Sequence, residues 1–379
     1  MSNTSSNPFD NVFDSVEQMI GRTPLVRLRT ALKRVPVGIW QKELDPGAKE
    51  RDLKSELFAK IEYTNPAGSA KDRIALKIIN DAEKSGRLKP GGTIVEATSG
   101  NTGAGLAMIA AIRGYKTVFC MPDKISAEKV NSLRAYGSKV VISPTSAHPD
   151  SPEYYCNVAK RIAAETPGGC LADQYFTPSN PTAHYETTGP EIWEQMKGKI
   201  DFVAAGIGTG GTLSGTAKYL REKNPKIKVV ALDPVGSIYR SVIETGKACE
   251  AGTYLVEGVG EDILPGTMDL KIVDTVVTVN DEESFRAARM LAQAEGLLVG
   301  GSCGLALFGV LQYLAQHESK GGAPLRGVVI LPDSGSRYLT KVFNDPWLKE
   351  NSVNATSWAD IKLGGVVEFI GNAKKIPGI

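Results

Sequence analysis

The sequence of 379 residues carries 44 lysines and arginines against 42 aspartates and glutamates, a near balance that argues against a nucleic-acid or membrane surface. Its length accommodates two ordinary domains with substantial cores. Five scattered cysteines (Cys120, Cys156, Cys170, Cys249, Cys303) without a C-x-x-C pair read as reduced thiols of a cytosolic protein, and three distant histidines (His148, His184, His317) argue against a metal centre or a histidine-activated nucleophile.

Met1 to Phe13 is polar, with no basic n-region or apolar core, so no signal peptide is expected. Val16 to Ile20 begins a helix, and Thr23 to Leu28 alternates like a strand. Gln41 to Glu56 is dense in charge and contains Pro46-Gly47, the composition of an exposed insertion or a linker. Leu57 to Tyr63 resumes as a strand. Next comes Asn65-Pro66-Ala67-Gly68-Ser69-Ala70-Lys71-Asp72-Arg73, a turn-rich loop running into a helix with Ser69 as the expected N-cap. Ile74, Leu76, Ile78 and Ile79 give that helix its apolar positions, and Gly86 closes it. Lys71 therefore sits in the first helical turn, where the positive end of the helix disfavours a cation and favours the neutral amine. A neutral amine forms a Schiff base with an aldehyde; a solvated surface lysine is the plainer reading.

Beyond this point strands alternate with helices. Strands are expected at Thr93 to Glu96, Lys116 to Met121, Lys139 to Ile142, Phe202 to Ala205, Lys228 to Leu232, Thr275 to Val279 and Gly327 to Leu331. Ser126 caps one intervening helix and Gly137 stops it, and another runs from Asn280 to Gly296. Continuous apolar strands in this pattern mean an α/β protein with parallel sheets covered on both faces.

Three loops follow strands directly and carry candidate chemistry. Thr98-Ser99-Gly100-Asn101-Thr102-Gly103 places hydroxyls, an amide and glycines before a small-residue helix, a setting suited to a carboxylate. Gly206, Gly208 and Gly211 satisfy G-x-G-x-x-G after a strand, with Asp233 ending the next one. Alone, that pattern says dinucleotide, yet the same amides suit a phosphate monoester. Leu331-Pro332-Asp333-Ser334-Gly335-Ser336-Arg337-Tyr338 brings Asp333 and Ser334 towards the same crevice, or forms a capped polar turn. Gln174-Tyr175 and Gly300-Gly301-Ser302-Cys303-Gly304 are further candidates, with Cys303 read as a small buried residue.

In order and spacing, Gly68 to Arg73, Thr98 to Gly103, Gly208 to Thr212 and Leu331 to Ser334 together resemble the β-family (fold type II) pyridoxal-phosphate enzymes over about residues 18 to 350. The cystathionine β-synthase branch is the more similar one. Its likeness rests on Met121 to Val130, Ser143-Pro144-Thr145, Asp150 to Glu153, Asp173-Gln174-Tyr175, Ala183-His184-Tyr185 and Val256 to Asp262. Ala67 and Ala70 depart from a common glycine and a common valine. No Cys-Pro or paired haem ligand precedes Lys71, so no haem is expected.

The resemblance implies a tryptophan synthase β-like fold: two parallel-sheet α/β subdomains with pyridoxal 5'-phosphate in the cleft between them. One would span residues 57–178, the other 14–56 plus 179–350, with 351–379 as a tail too short for a tandem regulatory module. Trp358 to Ile370 would be a strand or the start of such a module, and no activation by S-adenosylmethionine is expected. Lys71 would bond the cofactor and move protons, and Asn101 would meet its ring hydroxyl. Gly208, Thr209, Gly210, Gly211 and Thr212 would cradle its phosphate, and Ser334 would meet its ring nitrogen. Thr98, Ser99, Thr102 and Gln174 would take the substrate carboxylate. The implied reaction joins L-serine and L-homocysteine to L-cystathionine in a cytoplasmic homodimer, with cysteine synthesis from O-acetylserine and sulfide, or a non-catalytic relative, as alternatives. Glu261-Asp262 would orient the amino group of homocysteine, or be a solvated loop charge.

Overall fold

Two sheets organise the chain in a computed structural model that describes residues 12–33, 35–36, 50–98, 100–123 and 125–355. Residues 41–49 of the charged insertion, Ser99, Lys124 and Trp358 to Ile370 lie outside the described residues. The strands are β1 (Leu25–Leu28), β2 (Val35–Pro36), β3 (Glu50–Arg51), β4 (Glu56–Ile61), β5 (Thr93–Ala97), β6 (Lys116–Pro122), β7 (Lys139–Ser143), β8 (Gly169–Leu171), β9 (Phe202–Gly206), β10 (Lys228–Pro234), β11 (Thr275–Val279) and β12 (Arg326–Leu331). The helices are α1 (Lys71–Lys84), α2 (Asn101–Arg113), α3 (Ala127–Ala135), α4 (Tyr155–Glu165), α5 (Ser179–Glu186), α6 (Thr188–Gln195), α7 (Gly211–Lys223), α8 (Tyr239–Thr245), α9 (Asp281–Ala294), α10 (Gly301–Ser319) and α11 (Asp345–Glu350).

The smaller sheet has the order β7-β6-β5-β8 and is wholly parallel. The larger has the order β1-β4-β12-β9-β10-β11 and is parallel except for the antiparallel β1–β4 pair. Alternating side chains of each central strand bury to opposite faces, as the pleat requires. In β9, Phe202 and Ala204 pack towards α9 and α10, while Val203 and Ala205 join α7. In the smaller sheet Ile94, Phe119 and Met121 pack with α1 and α2, while Val95, Ala97 and Cys120 pack with α4. Both sheets are thus covered on both faces, which is why their strands read as unbroken apolar runs.

Two local expectations change, and one candidate stretch finds its place. The strand β4, which a boundary at residue 57 assigns to the 57–178 unit, pairs with β1 and β12 in the larger sheet. Leu57 to Tyr63 ends as a strand at Ile61 and turns into a 3-10 helix at Glu62–Thr64. The candidate stretch Gly300 to Gly304 forms the N-cap and first turn of α10, a 19-residue helix buried against the large sheet.

Candidate active site

Lys71 is the first residue of α1, directly after Ala70. Ser69 is not the N-cap residue, although its hydroxyl accepts the Lys71 N–H at 3.2 Å. Asp72 turns back instead, its carboxylate accepting the Ala67 N–H at 2.6 Å. The loop is stitched to the one after β12: Ser69 bridges Asp333, and the Ala70 N–H donates to the Pro332 carbonyl at 2.8 Å. Lys71 is partly buried. Burial lowers its pKa, while the carboxylates of Asp333 and Glu261 pull the other way. Two residues on, Arg73 anchors this corner through a buried network missing from the sequence reading. Its Nε meets Glu62 at 2.7 Å and its Nη1 meets Glu191 at 2.7 Å, and Lys60 joins Glu191 at 2.7 Å. Burial alone would raise Glu62, but the Arg73 guanidinium outweighs it and holds that carboxyl down at about 2. Lys60 and Glu62 alternating within or just past an otherwise apolar strand were the available signal.

The loop from Thr98 to Gly103 is held by side chains. The Thr98 hydroxyl accepts the N–H of Gly100 at 3.0 Å and of Gly103 at 3.3 Å. Thr102 donates to Gln174 Oε1 at 2.6 Å, and Gln174 Nε2 donates to the Ala97 carbonyl at 2.9 Å. Asn101 begins α2 and reaches across to Asp333, its Nδ2 donating to Oδ2 at 2.8 Å. Thr98, Thr102 and Gln174 therefore form one cluster, and Asn101 joins the Lys71 corner. A cavity of about 160 Å³ lies between α4 and the smaller sheet, lined in part by Glu96, Asp173, Tyr154, Tyr175 and Ile263.

The Gly206 to Thr212 loop packs closely against Gly258 and Met268. Gly210 is the N-cap of α7 with φ 78°. A Cβ at Gly208 would stand 2.6 Å from the Gly258 carbonyl, and one at Gly210 would stand 2.5 Å from Met268. The first N–H groups of α7 have no intrahelical partner, which leaves an anion-accepting end. Thr209 accepts from Asn180 Nδ2 at 2.9 Å, and the same Nδ2 donates to the Gln174 carbonyl at 2.8 Å, linking this loop to the Thr98 cluster. Thr212 hydrogen-bonds His184 at 3.0 Å; burial pushes that imidazole down to about 3, so it is neutral. Asp233, the acid a dinucleotide would need, is fully buried and accepts the Arg240 N–H at 3.0 Å.

Ser334 caps a 3-10 turn, its hydroxyl accepting the Ser336 N–H at 3.3 Å. Cys303 is buried with its thiol 3.4 Å from the Asp333 carbonyl. Glu261 lies on the segment that covers the glycine loop, where the Gly260 N–H donates to the Ile207 carbonyl at 2.7 Å. Lys71, Asn101 and the loop of Ser334 thus converge, with the glycine loop tied in through Gln174 and Asn180.

A family model described as pyridoxal-phosphate dependent enzyme matches residues 16–333. The chain belongs to this family. A cystathionine β-synthase from Apis mellifera is 44% identical over 347 residues, 91% of this chain and 64% of that relative. The chain thus spans less than two thirds of the length of that relative. A cysteine synthase from Staphylococcus aureus is 40% identical over 328 residues, 86% of this chain and 96% of that relative. The crystal structure of a hydrogen sulfide-producing enzyme from Fusobacterium nucleatum superposes with a TM-score of 0.75 at 34% identity, covering 86% of this chain and all of that one. Family membership implies pyridoxal phosphate, and the residues fit it. Lys71 is shifted towards the neutral amine that an aldehyde requires, and the glycine loop presents helix N–H groups to a phosphate.

Proposed function

We propose that this protein catalyses β-replacement: L-serine and L-homocysteine react to give L-cystathionine and water. The observation that carries the chemistry is Lys71, a lysine driven towards its neutral form by burial at the first turn of a helix where three loops meet. The choice of substrates draws on the likeness to the Apis mellifera cystathionine β-synthase.

When bound, pyridoxal phosphate supplies an electron sink for the charge left on the substrate α-carbon. Lys71 holds it through Nζ. The N–H groups of Gly208 to Thr212 take its phosphate, Asn101 its ring hydroxyl and Ser334 its ring nitrogen. Thr98, Ser99, Thr102 and Gln174 receive the substrate carboxylate. Once the serine amino group has taken its place on the cofactor, the freed amine of Lys71 accepts the α-proton of serine. It then gives a proton to the departing hydroxyl, which is a poor leaving group without one. Glu261 takes the amino group of homocysteine.

The reading includes a haem-free homodimer in the cytoplasm. The five cysteines are free thiols, which supports a reducing compartment. Among the described residues no helix is long and apolar enough to cross a membrane.

Cysteine synthesis is the second reading, favoured by the 96% coverage of the Staphylococcus aureus relative. A product assay offering serine and O-acetylserine against homocysteine and sulfide separates the two. Cystathionine from serine and homocysteine is the expected main product, and Lys71→Ala is expected to abolish it in a folded protein. If cysteine from O-acetylserine and sulfide dominates with negligible cystathionine, the second reading replaces the first.

A further inference from the structure

Asn101 has two chemically opposite partners. Arg337 Nη1 donates to its Oδ1 at 2.7 Å, and its Nδ2 donates to Asp333 Oδ2 at 2.8 Å. A guanidinium has no acceptor and a carboxylate has no donor, so this pair admits only one orientation of the amide. A flip would set N–H against guanidinium and oxygen against carboxylate. Both partners are themselves held. Tyr338 donates its hydroxyl to Asp333 Oδ2 at 2.6 Å, and the Gly300 N–H donates to the Asp333 carbonyl at 3.2 Å. Arg337 Nη2 donates to the Ala67 carbonyl, within the loop that carries Lys71. Gly68 gives that arm room, since a Cβ there would lie 3.2 Å from Nη2.

We propose that Arg337 and Asp333 are positioning residues that lock the Asn101 amide so that it offers an N–H donor to the ring oxygen of the bound cofactor. Arg337 also ties Asn101 to the Lys71 loop, so the groups for the cofactor's two ends of reactivity are set by one side chain. The inference rests on the cofactor reading above. A donated N–H favours the ionised form of the oxygen it meets. Losing the lock therefore weakens cofactor binding and moves the ring oxygen's titration to higher pH.

The test uses the full chain loaded with pyridoxal phosphate and reads two quantities apart from turnover: the cofactor dissociation constant, and the pH at which its visible absorbance titrates. Arg337→Met is expected to raise the dissociation constant roughly tenfold, the scale of one charge-assisted hydrogen bond, and to move the titration to higher pH. Asn101→Ala is expected to do the same. The double variant is expected to move the titration little further than either single one, because Arg337 reaches the ring oxygen through Asn101. Arg337→Lys, which keeps one donor, is expected to recover part of both effects and guards against a folding defect in the methionine variant. The proposal is overturned if Arg337→Met keeps the parent titration and affinity, or if the two titration shifts simply add. Wild-type protein that takes up no pyridoxal phosphate would sink the cofactor reading itself, a result distinct from either.

Discussion

The corners at Thr98 to Gly103 and at Gly206 to Thr212 are built on the same plan and differ in what lies against their glycines. Each follows a strand, passes through a glycine of positive φ (Gly100 at 127°, Gly210 at 78°) and opens a helix of 13 residues. In the first, side chains do the holding: Thr98 serves two backbone N–H groups, Thr102 binds Gln174, and Asn101 reaches Asp333. In the second, side chains also hold the loop, but a Cβ at Gly208 or Gly210 would meet the Gly258 carbonyl or the Met268 Cα and Cβ, whereas one at Gly100 would meet only the Lys129 side chain. Hydrogen bonds fail one at a time, whereas a backbone clash displaces the whole turn. The first corner should therefore respond to substitution by degrees and the second all at once.

Gly210→Leu tests the second half of that contrast and carries the largest expected effect. The new side chain combines a left-handed φ, costing about 1–2 kcal/mol, with a collision at Met268 2.5 Å away. The variant is expected to purify without cofactor, read by absorbance. Cofactor content near wild type would show that the turn can yield. Thr102→Val tests the first half. It removes the 2.6 Å bond and leaves Gln174 Oε1 without its donor, a loss of about 1–3 kcal/mol. A lower Tm with cofactor retained, and a raised KM for the amino-acid donor, is the expected result.

Glu261→Ala sharpens the comparison, because here a side chain is carried on the segment covering the second corner. Its loss should raise the KM for homocysteine roughly tenfold while leaving the serine KM nearly unchanged, the scale of one charge-assisted contact. Equal changes in both would place Glu261 outside the second-substrate site.

Glu96→Gln gives the smallest expected effect, confined to pH dependence. Burial and then Asp173 raise the Glu96 carboxyl from 4.5 to about 8, and its Oε2 accepts the Gln174 N–H at 3.4 Å. The folded state thus holds this proton more tightly than the unfolded one. Its stabilising contribution is complete below 4.5 and disappears as pH rises towards about 8. Thermal denaturation of Glu96→Gln should show a shallower fall of Tm across that window. Asp72, raised to about 7, and Asp233, raised to about 6, both mainly by burial, maintain a remaining slope. A slope as steep as the parent's would mean that Glu96 does not titrate there.

Much of this molecule was readable from local pattern. Strand Thr275–Val279 and helix Asp281–Ala294 fall where periodicity and capping put them, and Asn280 with Glu283 forms the capping box that starts the helix. The candidate loops also stand where strands end and helices begin, because turn glycines and hydroxyls act within a few residues of themselves. Asn101 meeting Asp333 and Arg337, 232 and 236 residues away, left no such trace. Nor did Arg73 meeting Glu191, 118 residues on, or the placement of β4 between β1 and β12. Propensity and periodicity describe a residue and its near neighbours. Which carboxylate faces which guanidinium depends on strand order and on how the two sheets face each other, and that is fixed only when the chain packs.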